Sequence, residues 1–497
     1  MTSVRNLRLV VPAAAVWSTT IVGLLAPSAI RTVVIVCVAA GVGVSGAVGL
    51  RLLSWRSVGI AVLVLGMAAT AGIALSFRVA VIHQFPLHDD RGKVTVTVRV
   101  VDDPVPLRPA ASGRSRVRVD VVAIGERAVR AAGAHLVGST SEWAQLVPGQ
   151  RVRVLVRVRP PPDHTMLVAS LTAVGTPTLV GAPPAHQRVA AHIRDRLRTV
   201  SARALGSPES GLLPGLVLGD ISGLDDNVRE DFRDAGLAHL TAVSGSNFAI
   251  VCGAVLALLA LLGCPRRYLP ILGLAVIVGF VILVRPSPSV LRAALMGAVG
   301  LFAMFSRRKA QALPSLGTAV IVGLLWWPEL ALAPGFALSV AATAGIVLWG
   351  PVIRDWLWDY RIPTGLAEVL AMAIAAQLVT APIIALISGR FSIVAIVANI
   401  LVVPVVAAIS IVGTAAALVG SIGGPGGFCW IIAELLARIL GPALWWMVTC
   451  AGVLGGWAWA SIPVPDGVPG ALLAAAATIV LAMGLRRRAR IGTSARR

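Results

Sequence analysis

Long apolar stretches, interrupted by one polar interval, dominate the pattern of the chain. Three stretches open it, near residues 8–27, 31–50 and 58–77. Nine more follow the polar interval, near residues 237–263, 268–284, 289–305, 311–327, 331–350, 364–387, 391–420, 428–459 and 468–485. Several reach the roughly 18 to 20 residues that a helix needs to cross about 30 Å of hydrocarbon. The pattern therefore predicts a polytopic α-helical membrane protein with about 12 spans, although a stretch as long as 391–420 could be tilted, broken or partly re-entrant.

The polar interval, residues 78–236, has a different period. Apolar and polar residues alternate over 94–100, 116–121 and 152–158, and the segments are rich in valine and broken by Asp-Pro and Pro-Gly turns. Such alternation predicts short antiparallel strands, and about 90 residues of them predict a small all-β, OB-like barrel or a sandwich. Residues 185–206 lose this period and predict an Arg-rich amphipathic helix that leads back to the membrane.

These patterns divide the chain into five predicted parts. We expect three N-terminal spans over 1–77, an external β domain over 78–184 and an amphipathic helical connector over 185–236. A transmembrane channel domain over 237–485 and a basic cytoplasmic tail over 486–497 complete the chain.

Composition supports the membrane assignment. Hydrophobic residues make up 57% of the chain and charged residues 13%, and the mean hydropathy is +0.87. A soluble chain of this length needs far more charge on its surface. Basic residues precede the first span at Arg5 and Arg8 and follow the last one at 486–490. Others lie between spans, at Arg51 and Arg56, at Arg266 and Arg267 and at 307–309. By the positive-inside rule these segments, and with them both termini, lie in the cytoplasm, so topology accounts for part of the net charge of +21.

The five cysteines, Cys37, Cys252, Cys264, Cys429 and Cys450, all lie in or beside apolar spans and form no CxxC pair. This distribution argues against a disulfide framework and against a structural zinc site. We interpret them as small apolar packing residues and expect neither a metal nor a cofactor.

The predicted external domain is basic beyond what topology requires. Residues 91–180 hold thirteen basic and six acidic side chains. Arg151, Arg153, Arg157 and Arg159 occupy alternate positions of one predicted strand and would share a face that could follow a nucleic-acid backbone. The alternative is ordinary solvated surface, and Trp143 is the only aromatic residue available for base stacking in this segment.

Five blocks of sequence, in order, carry a resemblance to a known family. They lie at 219–247 (GDISGL followed by FRDAGLAHLTAVSGSN), 285–296 (RPSPSVLRAALM), 335–339 (GFALS), 377–382 (QLVTAP) and 398–404 (ANILVVP). Together they resemble ComEC-type competence proteins. The resemblance implies a channel that passes single-stranded DNA across the inner membrane to the cytoplasm during natural transformation.

The chain departs from the family pattern in three ways. Ser246 and Asn247 stand where a second histidine is common, the external domain has no cysteine, and no HxHxDH run is present. We therefore expect a short form without the metallo-β-lactamase-like domain. The resemblance then implies separate partners: a periplasmic or surface DNA receptor, a cytoplasmic motor, a nuclease and, as one form of assembly, a homo-oligomer.

Candidate residues for the DNA path come from these blocks. They are Asp220, His239, Ser244, Gly245, Ser246, Asn247, Arg285, Arg292, Gln377 and Asn399. Polar groups inside membrane domains usually line a cavity or pair with one another, and a guanidinium suits a phosphate.

Each candidate also has a structural interpretation. The residues around Gly245 could form a helix-packing notch in which His239 caps a neighbouring backbone. Arg285 could be an interfacial anchor, and Arg292 could snorkel or form an ion pair. Gln377 and Asn399 could satisfy backbone groups that the helix-breaking Pro382 and Pro404 leave free.

Two other functions remain open from the sequence. One is a channel-family relative with a non-DNA or unknown cargo, since a fold does not fix its cargo. The other is an intramembrane serine hydrolase that uses Ser244 or Ser246 with His239. Residues at this spacing on one segment are poorly placed for a nucleophile and its base, so we expect no enzyme activity.

Overall fold

The computed structural model describes residues 9–49, 55–87, 92–107, 113–241, 243–305, 311–457, 460–465 and 467–478. Contacts divide it into two compact units. The barrel unit comprises Ser3–His192 and Ile321–Ala331, and the helical unit comprises Ile193–Val320 and Leu332–Arg497. Several of the basic segments that predict the membrane topology lie outside the described residues: Arg5, Arg8, Arg51, 307–309 and the tail 486–497.

Three helices occupy the three predicted N-terminal stretches. They are α1 (Val10–Leu25), α2 (Ile30–Gly49) and α3 (Trp55–His83), with a 3-10 turn at Pro27–Ala29 between the first two. A Cβ on Gly23 would lie 2.5 Å from the Leu75 side chain, so this glycine lets α1 and α3 pack closely. The guanidinium of Arg78 on α3 donates to the carbonyls of Leu325 and Trp326, which end a helix described below.

The strands of the polar interval form a closed barrel. Its strands are β1 (Lys93–Val100), β2 (Val105–Pro106), β3 (Arg114–Ile124), β4 (Arg127–Ser139), β5 (Arg151–Arg159), β6 (Ala169–Ala173) and β7 (Thr178–Gly181), with the short helix α4 (Thr140–Trp143) after β4. The order β1-β3-β4-β6-β5 closes because β1 also pairs with β5. Among the described strands only β4 and β6 pair in parallel, and the five-stranded ring corresponds to the barrel of OB-folds. The predicted OB-like domain is confirmed as a small five-stranded barrel.

Strict alternation produces the barrel core. Along β5 the four valines are buried and the residues between them are exposed. The valines of β1 and Val117, Val119 and Val121 of β3 point to the same core, which Trp143 completes with 0% exposure. The period of two in the sequence therefore predicts correctly which face of each strand is buried.

The helical unit is built from helices that run through the rest of the chain. They are α5 (Ala185–Ala204), α6 (Glu209–Leu218), α7 (Asp226–Asp234), α8 (Gly245–Leu261), α9 (Leu269–Val284), α10 (Pro288–Phe305), α11 (Ala312–Trp326), α12 (Pro334–Asp359), α13 (Thr364–Ser388), α14 (Ala395–Gly420), α15 (Phe428–Gly455) and α16 (Val468–Thr478). A two-stranded sheet pairs β8 (Arg390–Ser392) with β9 (Ser461–Pro463). Two of these helices, α5 and α11, begin in one unit and end in the other.

Six helical segments of the described chain are long and apolar enough to cross a membrane. They are Val58–His83, Ala238–Leu261, Pro334–Asp359, Thr364–Ile387, Ala395–Gly420 and Phe428–Gly455. Seven other apolar helices in the part of the chain that the structure describes have 10 to 17 residues, which is short for a perpendicular crossing. The protein is thus a helical membrane protein, but the expected 12 spans are not confirmed.

Two predicted segments differ in detail. The stretch predicted to start a span at Leu237 forms a 3-10 turn at Ala238–Leu240, and the α-helix begins only at Gly245. The connector is three helices, of which α5 is the predicted amphipathic one. The second, α6, is apolar instead, and every residue from Leu212 to Leu218 is buried. The stretch 391–420 is not broken, because α14 runs through Pro404.

Candidate functional site

The first turn of α8 is built by polar side chains that bond to one another. Ser244 is the N-cap residue, and its Oγ accepts a hydrogen bond from the backbone N–H of Asn247 at 3.2 Å. The same hydroxyl lies 2.9 Å from Asn247 Oδ1 and 2.7 Å from Ser246 Oγ. Asn247 is buried and donates to the Leu216 carbonyl of α6. Side-chain capping of this kind fixes where a helix begins.

Arg292 of α10 lies against this turn. A Cβ added to Gly245 would overlap its Nη2 atom, so the guanidinium is in contact with the α8 backbone. Nε donates to Ser339 Oγ of α12 at 2.7 Å, and Nη1 lies 3.2 Å from Met296 Sδ. We call Ser244, Gly245, Ser246, Asn247, Arg292 and Ser339 the serine–arginine cluster. It joins three of the sequence blocks, and five of its six members are predicted site residues.

Asp220 belongs to a separate buried ion pair. Its carboxylate lies 3.7 Å from Arg194 Nη2 and 3.3 Å from Arg198 Nε, both on α5, and it accepts from the Ser222 hydroxyl at 2.6 Å. Burial alone would raise the pKa of this carboxyl, but Arg194, the Ser222 hydroxyl and Arg198 outweigh it and hold the pKa below its ordinary value. Asp220 is therefore an anion that is already neutralised by the protein.

Arg194 ties several helix ends together. Its Nη1 donates to the Leu218 carbonyl at 2.6 Å and to the Leu283 carbonyl at 3.3 Å, which lie at the C-terminal ends of α6 and α9. Gly219, at φ +69°, brings its Cα within reach of Val243 and the Val284 carbonyl, where a Cβ would lie 3.4 and 3.6 Å away. Gly219, Val243 and Val284 are therefore adjacent in space.

Two further predicted residues, His239 and Arg285, precede α8 and α10 in the chain. His239 is exposed on the 3-10 turn before α8. Arg285 follows the last residue of α9 with a positive φ of 76° and is half-buried. Their positions are compatible with both interpretations given above, and no hydrogen bond joins His239 to Ser244 or Ser246 within the described residues.

Gln377 and Asn399 do not meet the serine–arginine cluster through any hydrogen bond of the described chain. Asn399 Nδ2 donates to the Ala395 carbonyl of its own helix at 2.7 Å. The Leu378 carbonyl, which Pro382 leaves without its helical donor, accepts from the Thr478 hydroxyl at 3.0 Å instead. Both prolines lie inside continuous helices, so the expectation that they break helices is wrong.

The four predicted arginines of β5 share one outward face of the barrel, as the alternation requires. Within the described part of the chain, none of them forms an ion pair with a carboxylate. The neighbouring strand adds more positive charge, because Lys93 stands opposite Arg157 and Arg99 stands opposite Arg151. Arg99 also pairs with Asp120 of β3 at 2.6 Å. We call Lys93, Arg99, Arg151, Arg153, Arg157 and Arg159 the β5–β1 face.

The sequence alone does not identify several residues that contact the predicted site residues. Ser339 lies in a recognised block but carries no signal of its own until its helix is placed beside α10. Arg194 and Arg198 are part of the Arg-rich pattern of α5, and only the fold shows that they neutralise Asp220. Among the described residues, no group of three or more His, Cys, Asp or Glu side chains could hold a metal ion.

The model of the family described as "Competence protein" matches residues 216–489, which include the whole serine–arginine cluster. The chain belongs to the competence protein family. "ComE operon protein 3" of Bacillus subtilis (strain 168) is 27% identical over 207 residues, which confirms the resemblance to ComEC-type proteins. That match covers 42% of this chain and 26% of the relative. No solved structure matches the chain.

Proposed function

We propose that this competence protein is the inner-membrane channel that carries single-stranded DNA into the cytoplasm during natural transformation. The observation that carries the proposal is the serine–arginine cluster, a cationic and hydroxyl-rich group set among apolar helices inside the segment that the family model matches. Polar groups in a membrane domain usually mark the path of a polar cargo. Family membership supports nucleic acid as that cargo.

The barrel has the properties of a domain that binds DNA independently of its base sequence. The β5–β1 face places cations on two adjacent strands, and such a row can follow a phosphate backbone. Trp143 is fully buried, so it offers no surface on which a base could stack. Binding by this face would be electrostatic, sensitive to salt and nearly indifferent to base sequence.

The proposal includes a topology and a set of partners. The protein would be a multi-pass protein of the cytoplasmic membrane with both termini in the cytoplasm and the barrel outside. A DNA receptor would deliver the strand, a cytoplasmic motor would pull it, and a separate nuclease would degrade its complement. A homo-oligomer is the assembly to examine if one copy does not enclose a pore.

The chain itself would act without enzymatic chemistry. A serine nucleophile needs a base within hydrogen-bond reach. In the described structure Ser244 bonds to Ser246 and Asn247 rather than to His239. This arrangement supports a helix-capping role for Ser244 rather than a role as a nucleophile.

Gene deletion in a transformable host tests the proposal. We expect the deletion strain to bind labelled double-stranded DNA at its surface and to take no label into the cytoplasm, and the intact gene to restore uptake. Unchanged uptake, with the protein verified as absent, would reject the proposal. Lost transport of another solute with normal DNA uptake would point instead to a relative with a different cargo.

A further inference from the structure

We propose that Arg292 and the first turn of α8 form a binding site for one phosphodiester group, which in the transporting protein is a backbone phosphate of the passing strand. The inference deepens the proposed function and rests on it for the identity of the cargo. It assigns one site, with named atoms, to the step at which the strand is held inside the membrane domain.

Burial without an anionic partner is the first observation. Arg292 is 8% exposed. Its hydrogen-bond partners are a hydroxyl and a thioether, Ser339 Oγ and Met296 Sδ. No carboxylate of the described chain pairs with it. A buried cation with only neutral partners is unfavourable, and a bound anion removes that penalty.

The helix beside it is the second observation. The aligned peptide dipoles make the N-terminus of a helix positive. In the first turn of α8 the backbone amide of Asn247 already has Ser244 Oγ as its acceptor, so a ligand would bond to the amides before it. The contact of Gly245 with Nη2 places the guanidinium at this positive end of α8, a helix of 17 residues. Two positive centres in contact would favour separation unless something negative lies with them. The pair is therefore suited to an oxyanion.

Hydroxyl groups surround the same point. Ser244 and Ser246 lie 2.7 Å apart at the start of α8, and Ser339 meets the guanidinium from α12. Ser246 is exposed, so the site is open on that side. Hydroxyls, helix amides and a guanidinium form the donor set that phosphate oxygens accept from in proteins.

The geometry favours weak binding of the phosphate group. Nε is engaged by Ser339 and Nη1 by Met296, which leaves Nη2 as the guanidinium nitrogen directed at the turn. A single donor edge binds one phosphate oxygen rather than clamping two. A channel needs sites that bind its cargo and release it readily. A singly charged phosphodiester, repeated along a strand, meets this requirement.

Salt-dependent binding to the full chain tests the site. We would reconstitute the protein in nanodiscs of zwitterionic phosphatidylcholine and titrate a labelled oligothymidylate of twelve nucleotides. For a single strand, each phosphate contact contributes about 0.7 to the slope of log affinity against log salt. We expect Arg292→Gln to weaken binding and to lower this slope by about 0.7, and Arg292→Lys to restore the slope. An uncharged methylphosphonate oligomer should bind both proteins alike.

A paired arginine of the same unit provides the matched control. Arg438 of α15 has a carboxylate partner, Glu434, at 3.3 Å, so Arg438→Gln should leave the slope unchanged. An equal slope for wild type and Arg292→Gln, with intact DNA binding, would overturn this site and leave the proposed function standing. Failure of the wild type to bind any single strand would overturn both.

A second measurement needs no variant. Phenylglyoxal modifies accessible arginines, and peptide mass spectrometry follows Arg292 in the wild-type protein. We expect the charged oligomer to protect Arg292 and the methylphosphonate oligomer to leave it reactive. Protection by phosphatidylglycerol nanodiscs or by inorganic phosphate alone, with no further effect of DNA, would assign the site to a lipid headgroup or a free ion and overturn the proposal.

Discussion

Lys93 of β1 and Arg157 of β5 stand directly opposite each other on adjacent antiparallel strands. Both point outward, and Arg99 and Arg151 repeat the arrangement near the other end of the same strand pair. Like charges in directly opposed positions destabilise a sheet. The opposition of Lys93 and Arg157 therefore lowers the stability of the barrel, whereas Asp120 offsets the charge of Arg99 in the second pair.

Replacing one member of this pair should improve the fold and impair binding. Arg157→Glu turns the repulsion with Lys93 into an attraction, so we expect the barrel to gain about 0.2 to 1 kcal/mol in free energy of unfolding. The same change should lower the affinity for single-stranded DNA severalfold, because a cation of the face becomes an anion. Thermal unfolding and fluorescence anisotropy of the purified protein measure the two effects.

Arg130, exposed on β4 and outside the β5–β1 face, offers a control with the same change in charge. Arg130→Glu should alter DNA affinity much less than Arg157→Glu. Equal losses of affinity would mean that only net charge matters, and the face would have no special role.

The barrel shows how much of a fold the local alternation of apolar and polar residues can predict. Alternating valines predict the strands, their buried faces and the outward row of arginines on β5. The closure of β1 onto β5 does not follow from the pattern, because that pairing joins residues far apart in sequence and depends on the loops between them. Charge opposition across the two strands is visible only once the register is known.

The buried ion pair of Asp220 should be important for stability. Asp220→Asn leaves Arg194 and Arg198 without their carboxylate, and breaking a buried pair from one side costs about 3 to 5 kcal/mol. We expect a clearly lower melting temperature in detergent micelles at neutral pH. Asp226→Asn, in the exposed pair with Arg229, should change stability by less than about 1 kcal/mol.

The same pair predicts a dependence on pH. Because the pKa of Asp220 is lower in the folded protein than in the unfolded chain, its contribution is complete above the ordinary aspartate pKa. That contribution disappears as pH falls through the lowered value. The difference in melting temperature between wild type and Asp220→Asn should therefore shrink in acid; a constant difference from neutral to acid pH would contradict the assignment.

Gly138 on β4 leaves room for the buried indole of Trp143. A Cβ at this position would lie 2.9 Å from Trp143 Cε2 and closer still to other ring atoms. We expect Gly138→Ala to destabilise the protein by about 1 to 3 kcal/mol through overpacking. Gly175→Ala is the comparison, because nothing lies within 4 Å of a Cβ there. Similar melting temperatures for the two variants would show that the indole moves aside without penalty.

His135, also on β4, should make the barrel sensitive to mild acid. Burial first, and then Arg116 and Arg118, lower the pKa of its imidazole. The unfolded chain therefore binds a proton at a higher pH than the folded barrel does, and stability falls as pH drops below about 6.5. We expect wild type to lose melting temperature relative to His135→Gln over that range, and parallel curves would refute the prediction.

The candidate site was only partly accessible from sequence. Motif blocks identify Ser244 to Asn247 and Arg292, but an apolar stretch says little about where its helix begins. Ser244 ends the turn by bonding to the Asn247 amide, which shifts the start of α8 past His239. Asn399 bonds within its own helix, and such a local bond competes with any cross-channel role that its polarity suggests.

Closure of the barrel through β1 and β5 has a consequence for biogenesis. The ring closes only when β6 joins β4 to β5, and β1 gains its second partner only when β5, with Arg157 opposite Lys93, has been synthesised. Until then β1 holds only its pairing with β3, and its other edge is open to any extended segment nearby. We therefore expect the vulnerable stage of synthesis to be the interval before β5 is complete, when a chaperone that shields a lone strand edge would help most.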